Sequence, residues 1–141
     1  MKWYFASRTK HKESIKKIIK ILKEEGHQIV YDWTFLDSFN NLEDRLDKSK
    51  IANEMLRSIS DAEIFVLLSD KGGTDMFVEL GFAIAKLVEN KKLRIYAIGK
   101  YNKRSLMHFH PSITHLNNLI DVFNKECPEI AHKFSALLLS F

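Results

Sequence analysis

The segment Ala62 to Ser69 reads AEIFVLLS, a nearly continuous apolar run with no polar face. Between polar flanks, a run of that length predicts a parallel strand covered by helices on both sides. KWYFAS (Lys2 to Ser7), HQIVYDW (His27 to Trp33) and KLRIYAIG (Lys92 to Gly99) predict three more strands. Helical periods lie between them. Ile15, Ile18, Ile19 and Leu22 recur at i, i+3, i+4, i+7, and Gly26 stops that helix. A second helix over Lys48 to Ser60 is expected to bury Ile51, Met55, Leu56 and Ile59, and a third follows the loop KGGTD. Strand and helix alternate at nearly every step. The expected fold class is therefore α/β: a flavodoxin-like, doubly wound parallel sheet of four to five strands, with helices on both faces.

Three stretches are less regular. TFLDSFNNLEDRLDKS (Thr34 to Ser49) is long and polar, which predicts a lid or mobile loop. Lys100 to Asn124 is loop-rich, with a short fifth strand expected near Leu119 to Phe123. Pro128 fits the first turn of a C-terminal helix ending SALLLSF, read as a packed helix end or the cover of a subunit interface. The chain shows no internal repeat or linker, so residues 1–141 are expected to form a single domain.

Composition excludes several classes. No apolar run reaches the length of a bilayer span, and MKWYFAS lacks the long apolar region of a signal peptide, so a cytoplasmic protein without membrane partners is expected. The single cysteine, Cys127, excludes an intrachain disulfide and a multi-cysteine zinc site. His108, His110 and His115 lie close together but lack helical metal spacing, so no metal and no cofactor are expected. The net charge is +4, but the lysines are dispersed, which reads as a solvated surface rather than a nucleic-acid face.

Open parallel sheets bind ligands beyond the carboxyl ends of their strands. That rule singles out Ser7 and Arg8, Asp32 and Trp33, Asp70 to Asp75, and Gly99 to Asn102. KGGTDMFVELGFAIA (Lys71 to Ala85) is the most informative of these. The helix has Phe77, Leu80, Ile84, Leu87 and Val88 on one face, with Gly81 expected on the buried side. Gly72 and Gly73 would let the backbone approach a ligand. Glu79 is read as a first-turn acid lying off the apolar face. The plain reading is that it complements the helix dipole, worth a few tenths to about 1 kcal/mol. The functional reading is that the positive helix end keeps it ionised for nucleophilic attack.

YFASRTK, GHQIVYDW, SDKGGTDMFVELGFAIA and HFHPSITHLNNL, in that order, resemble the nucleoside 2-deoxyribosyltransferase family, in particular its small bacterial and phage members. The similarity runs over roughly Lys2 to Phe123. It implies a flavodoxin-like fold and chemistry at the N-glycosidic bond of a nucleoside or nucleotide. Glu79, Leu80, Gly81 and Ala83 reproduce the context of the family's catalytic glutamate. By that resemblance Glu79 would attack the anomeric carbon, and the glycosyl group would pass to a base or to water. Asp70 or Asp75 would be the second acid, with Asp70 preferred because it directly follows its strand. Ser7 and Arg8 would contact sugar or phosphate, and Phe5, Trp33 or a lid residue would stack on the base. The family's stretch of D-S-G-T type is here Gly72-Gly73-Thr74-Asp75, and the asparagine donated by a neighbouring subunit has no clear counterpart.

His108 is the expected substrate-facing histidine, and Asp32 is either a site residue or a turn former. A homodimer or higher homo-oligomer is expected. Two other readings compete: a nucleotide-sensing module without turnover, and a Toll/interleukin-receptor-like domain that cleaves NAD. A response-regulator receiver is excluded, since Ser7 and Arg8 stand where it needs acids.

Overall fold

The computed structural model describes residues 1–36, 45–90 and 92–137. Five strands form one sheet: β1 (Lys2–Ala6), β2 (Gln28–Ile29), β3 (Ile64–Leu68), β4 (Arg94–Ile98) and β5 (Ile113–Leu116). Their order is β2-β1-β3-β4-β5 and every pairing is parallel. This is the flavodoxin-like order, with its switch point between β1 and β3. Four α-helices complete the described chain: α1 (Lys12–Glu24), α2 (Arg45–Asp61), α3 (Asp75–Asn90) and α4 (Ile120–Glu126).

Alternation along the strands divides the core into two layers. Trp3 and Phe5 of β1 and Val66 and Leu68 of β3 pack with Ile15, Ile18 and Leu22 of α1 and Val122 and Phe123 of α4. Tyr4, Ala6, Phe65 and Leu67 face the other way, onto Ile59 of α2 and Met76, Leu80 and Ala83 of α3. All five residues of β3 are buried, as AEIFVLLS predicts.

Several expectations are corrected. β2 is only two residues long, because the chain leaves the sheet after Val30 and Asp32 caps a 3-10 turn over Trp33–Phe35. The fifth strand is Ile113–Leu116, not Leu119 to Phe123. Leu119, Val122 and Phe123 are all buried, and their i, i+3, i+4 spacing belongs to the start of α4. Pro128 does not open an α-helix. It follows the end of α4 at Cys127, and the chain resumes as a 3-10 helix over Ala131–Leu137. Cys127 is fully buried in the α1/α4 layer, and burial pushes its thiol up to about 11. The rest of SALLLSF lies outside the described residues. Of the expected lid, residues 37–44 also lie outside them, while its ends belong to the 3-10 turn and to α2.

Candidate active site

A hollow of about 320 Å³ opens beyond the carboxyl ends of β1 and β3, between α2 and α3. It lies at the switch point where this sheet order binds ligands, and its size falls in the range of small-molecule sites, on the order of 300–1,000 Å³. Its polar end is made by Ser7 and Thr9 after β1 and by Asp75 and Glu79 on α3. Ile51, Ala52, Met55 and Leu56 of α2 form an apolar wall. Trp33 and Leu36 close one side. The indole Nε1 of Trp33 donates to the Phe5 carbonyl at 2.7 Å, which fixes the ring at the end of β1.

Glu79 differs from expectation in two ways. Asp75 begins α3, so Glu79 stands in the second turn, beyond the amide groups that an N-terminus leaves free. It also belongs to the buried face. That face runs through Met76, Glu79, Leu80, Ala83 and Ile84, whereas Val88 is exposed. Gly81 is correspondingly on the outside, with open space where a Cβ would stand. Only 6% of Glu79 is exposed. Burial, reinforced by the negative charge of Asp75, pushes its carboxyl up to about 8, against an opposing contribution from the Tyr4 hydroxyl. The expectation of a dipole-stabilised carboxylate is thus reversed: Glu79 is mostly protonated at neutral pH. The Tyr4 hydroxyl is buried, makes no well-formed hydrogen bond among the described residues, and interacts with the Glu79 carboxyl.

Asp70 has a different environment. Its Oδ1 accepts from Arg8 at 3.2 Å and from the Gly72 amide at 3.1 Å, and its Oδ2 pairs with Lys10. His11 Nε2 lies 3.6 Å from the same Oδ2, and Arg104 donates to the Asp70 carbonyl at 3.0 Å. Burial acts to raise the Asp70 pKa, but hydrogen bonds from Lys10, Gly72 and Arg8 overcome it and hold the group well below the usual carboxylate range. Asp70 therefore has no proton to give near neutrality, and it does not line the hollow. The slight preference for Asp70 over Asp75 is corrected on both counts.

Of the other expected site residues, Ser7 and Trp33 line the hollow. Arg8 turns to Asp70 instead. The two glycines make room for this arginine: a Cβ on Gly72 would stand 3.1 Å from its Nη1, and one on Gly73 would stand 3.2 Å from its Cγ. Phe5 is 1% exposed, stacks on Trp3 and points into the α1 layer, away from the hollow. It cannot stack on a ligand there. Asp32 is the turn former, accepting from the Thr34 amide at 3.1 Å and its hydroxyl at 2.6 Å. His108 is fully buried, bonded to Ser69 and Ser105 and set edge-on to Phe77. It faces no substrate in this hollow.

The fold is similar to that of a solved protein. It matches Clostridium botulinum CMP N-glycosidase, BcmB, with a TM-score of 0.53 and 16% sequence identity, over 96% of this chain and 99% of that one. At that identity the likeness is one of fold. No protein-family model matches the chain, and no curated protein sequence matches it significantly.

The apolar wall is the part of the site that sequence reasoning missed. Ile51, Met55 and Leu56 have helical spacing, which is the same whether a stripe faces a core or a hollow. Only Ile59 of that stripe is fully buried. Among the described residues no three His, Cys, Asp or Glu side chains converge as metal ligands, and no helix is long and apolar enough to cross a membrane.

Proposed function

We propose that the protein breaks the N-glycosidic bond of a nucleoside or nucleotide in this hollow, with Glu79 as nucleophile. The observation that carries the reading is a buried carboxyl, Glu79, set beside a second acid, Asp75, in the wall of a ligand-sized hollow at the switch point. Fold likeness to a CMP N-glycosidase and the sequence resemblance to nucleoside 2-deoxyribosyltransferases support it.

The chemistry follows from the two ends of the hollow. The base lies against the α2 wall and Trp33, and the sugar lies at the polar end near Ser7, Thr9 and the acids. The Glu79 carboxylate attacks C1′ as the C–N bond breaks. The bonding electrons leave with the base, which takes up a proton from solvent water relayed through Asp75, the second acid in the hollow. The oxocarbenium-like charge is met by a carboxylate that water does not screen. Water or a second base then releases the glycosyl ester from Glu79.

Chromatography of free base across ribo- and deoxyribonucleosides and their monophosphates, with and without an acceptor base, tests the proposal. Base release supports it, and a new nucleoside formed only with acceptor assigns transfer rather than hydrolysis. Saturable binding with no base released from any substrate contradicts it in favour of a sensing module. Consumption of NAD alone contradicts it in favour of the Toll/interleukin-receptor-like reading.

A further inference from the structure

A second hollow, of about 340 Å³, lies beyond the carboxyl ends of β4 and β5, lined by residues separate from those of the Glu79 hollow. The two have opposite character. In place of an apolar wall, this one presents Lys100 and Lys103, the amides of Asn102 and Asn117, and the carboxylate of Asp121. Its lining holds one ring, that of His115, and no broad aromatic face for a base.

Its frame is fixed by hydrogen bonds. Gly99, at φ 91, gives its amide to the Leu116 carbonyl at 3.0 Å. Asn102 is only 7% exposed and donates its Nδ2 to that same carbonyl at 3.0 Å. The amide of Asn102 is thereby held in one orientation, with its Oδ1 left as the second hydrogen-bonding atom. His115 Nε2 donates to the His108 carbonyl at 2.8 Å, which leaves Nδ1 as its second hydrogen-bonding atom. Neither lysine forms an ion pair among the described residues, and the Lys100 ammonium rests 5.0 Å over the Tyr101 ring. Two cations without carboxylate partners suit a phosphate group. The Oδ1 of Asn102 and the Asp121 carboxylate suit hydroxyl donors.

We infer that this hollow binds a small phosphorylated polyol of the sugar-phosphate class: the phosphate on Lys100 and Lys103, the hydroxyls on Asn102 Oδ1 and Asp121. The inference does not depend on catalysis at Glu79. It is tested by amide chemical-shift titration of the protein with ribose 5-phosphate, with ribose and with inorganic phosphate as separate arms. Saturable shifts at Gly99, Asn102 and Asn117 are expected with ribose 5-phosphate, which binds more tightly than either fragment. The double variant Lys100→Ala/Lys103→Ala should bind about tenfold or more weakly. Asp121→Asn should bring the affinity for ribose 5-phosphate down towards that for inorganic phosphate. Equal affinity for inorganic phosphate, shifts confined to Thr9, Met76 and Val78 in the other hollow, or affinity unchanged in the double variant would overturn the inference.

Discussion

Glu79 on α3 meets Tyr4 on β1 inside the fold, so that the carboxyl shares its burial with a hydroxyl that has no other acceptor among the described residues. With its pKa pushed up to about 8, Glu79 is ionised in roughly one molecule in ten at pH 7. A nucleophile must be ionised, and kcat/KM reports the groups of the free enzyme. Base release measured as kcat/KM should therefore rise about tenfold per pH unit below the Glu79 pKa and level off above it. A profile that instead falls above pH 8 would make Glu79 the proton donor.

The same shift has a signature in stability. Glu79 binds its proton more tightly folded than unfolded, so its contribution is fully present below its unfolded pKa, the ordinary glutamate value of 4.5. That contribution is lost as pH rises through about 8. Denaturation between pH 5 and pH 9 should show wild-type stability falling relative to Glu79→Gln, with a difference of a few kcal/mol at the alkaline end. Parallel curves for the two proteins would mean that Glu79 is not desolvated.

Asp70 titrates in the opposite sense. Its folded pKa is depressed, so the stability it contributes is present above the ordinary carboxylate pKa and is lost as pH falls below it. Its side chain is 5% exposed, but it is covered by the stems of Arg8 and Lys10, which are 40% and 51% exposed. Solvent screening of those partners limits the effect, and Asp70→Asn should cost about 1–2 kcal/mol at neutral pH and much less in acid. Urea titration at the two pH values checks this.

Two glycines should respond oppositely to alanine. Gly73 has φ 90, and a Cβ there would stand 3.2 Å from Arg8 Cγ and 3.4 Å from Met76 Cε. Gly73→Ala should destabilise the fold by about 1–2 kcal/mol. Gly81 lies inside α3 with nothing within 4 Å of its Cβ position, so Gly81→Ala should stabilise by up to about 1 kcal/mol. Thermal unfolding of both variants beside wild type measures the two signs.

The sheet was legible because burial on both faces leaves a pattern that composition cannot imitate: β3 is a solid apolar run, and its neighbours alternate with helical periods. The rule of strand ends points to Ser7, Trp33 and Asp75, and the acid in the helix after the glycine loop points to Glu79; all four line the hollow. The failures share a cause. Phe5 and Arg8 adjoin the same strand end, but pleating turns Phe5 into the opposite layer and the charge of Asp70 captures Arg8. Direction of a side chain and choice of ion-pair partner depend on residues distant in sequence. Asp70 meets Arg8, Lys10 and Arg104 only once β1 and β3 pair and the β4 loop folds over them.

The most direct measurement is the rate of base release by Glu79→Gln and by wild type, on one substrate and at one pH, with both proteins shown to be folded. The variant is expected to lose at least about 10³-fold in turnover, since the amide cannot attack C1′. Turnover by Glu79→Gln at the wild-type rate would contradict it.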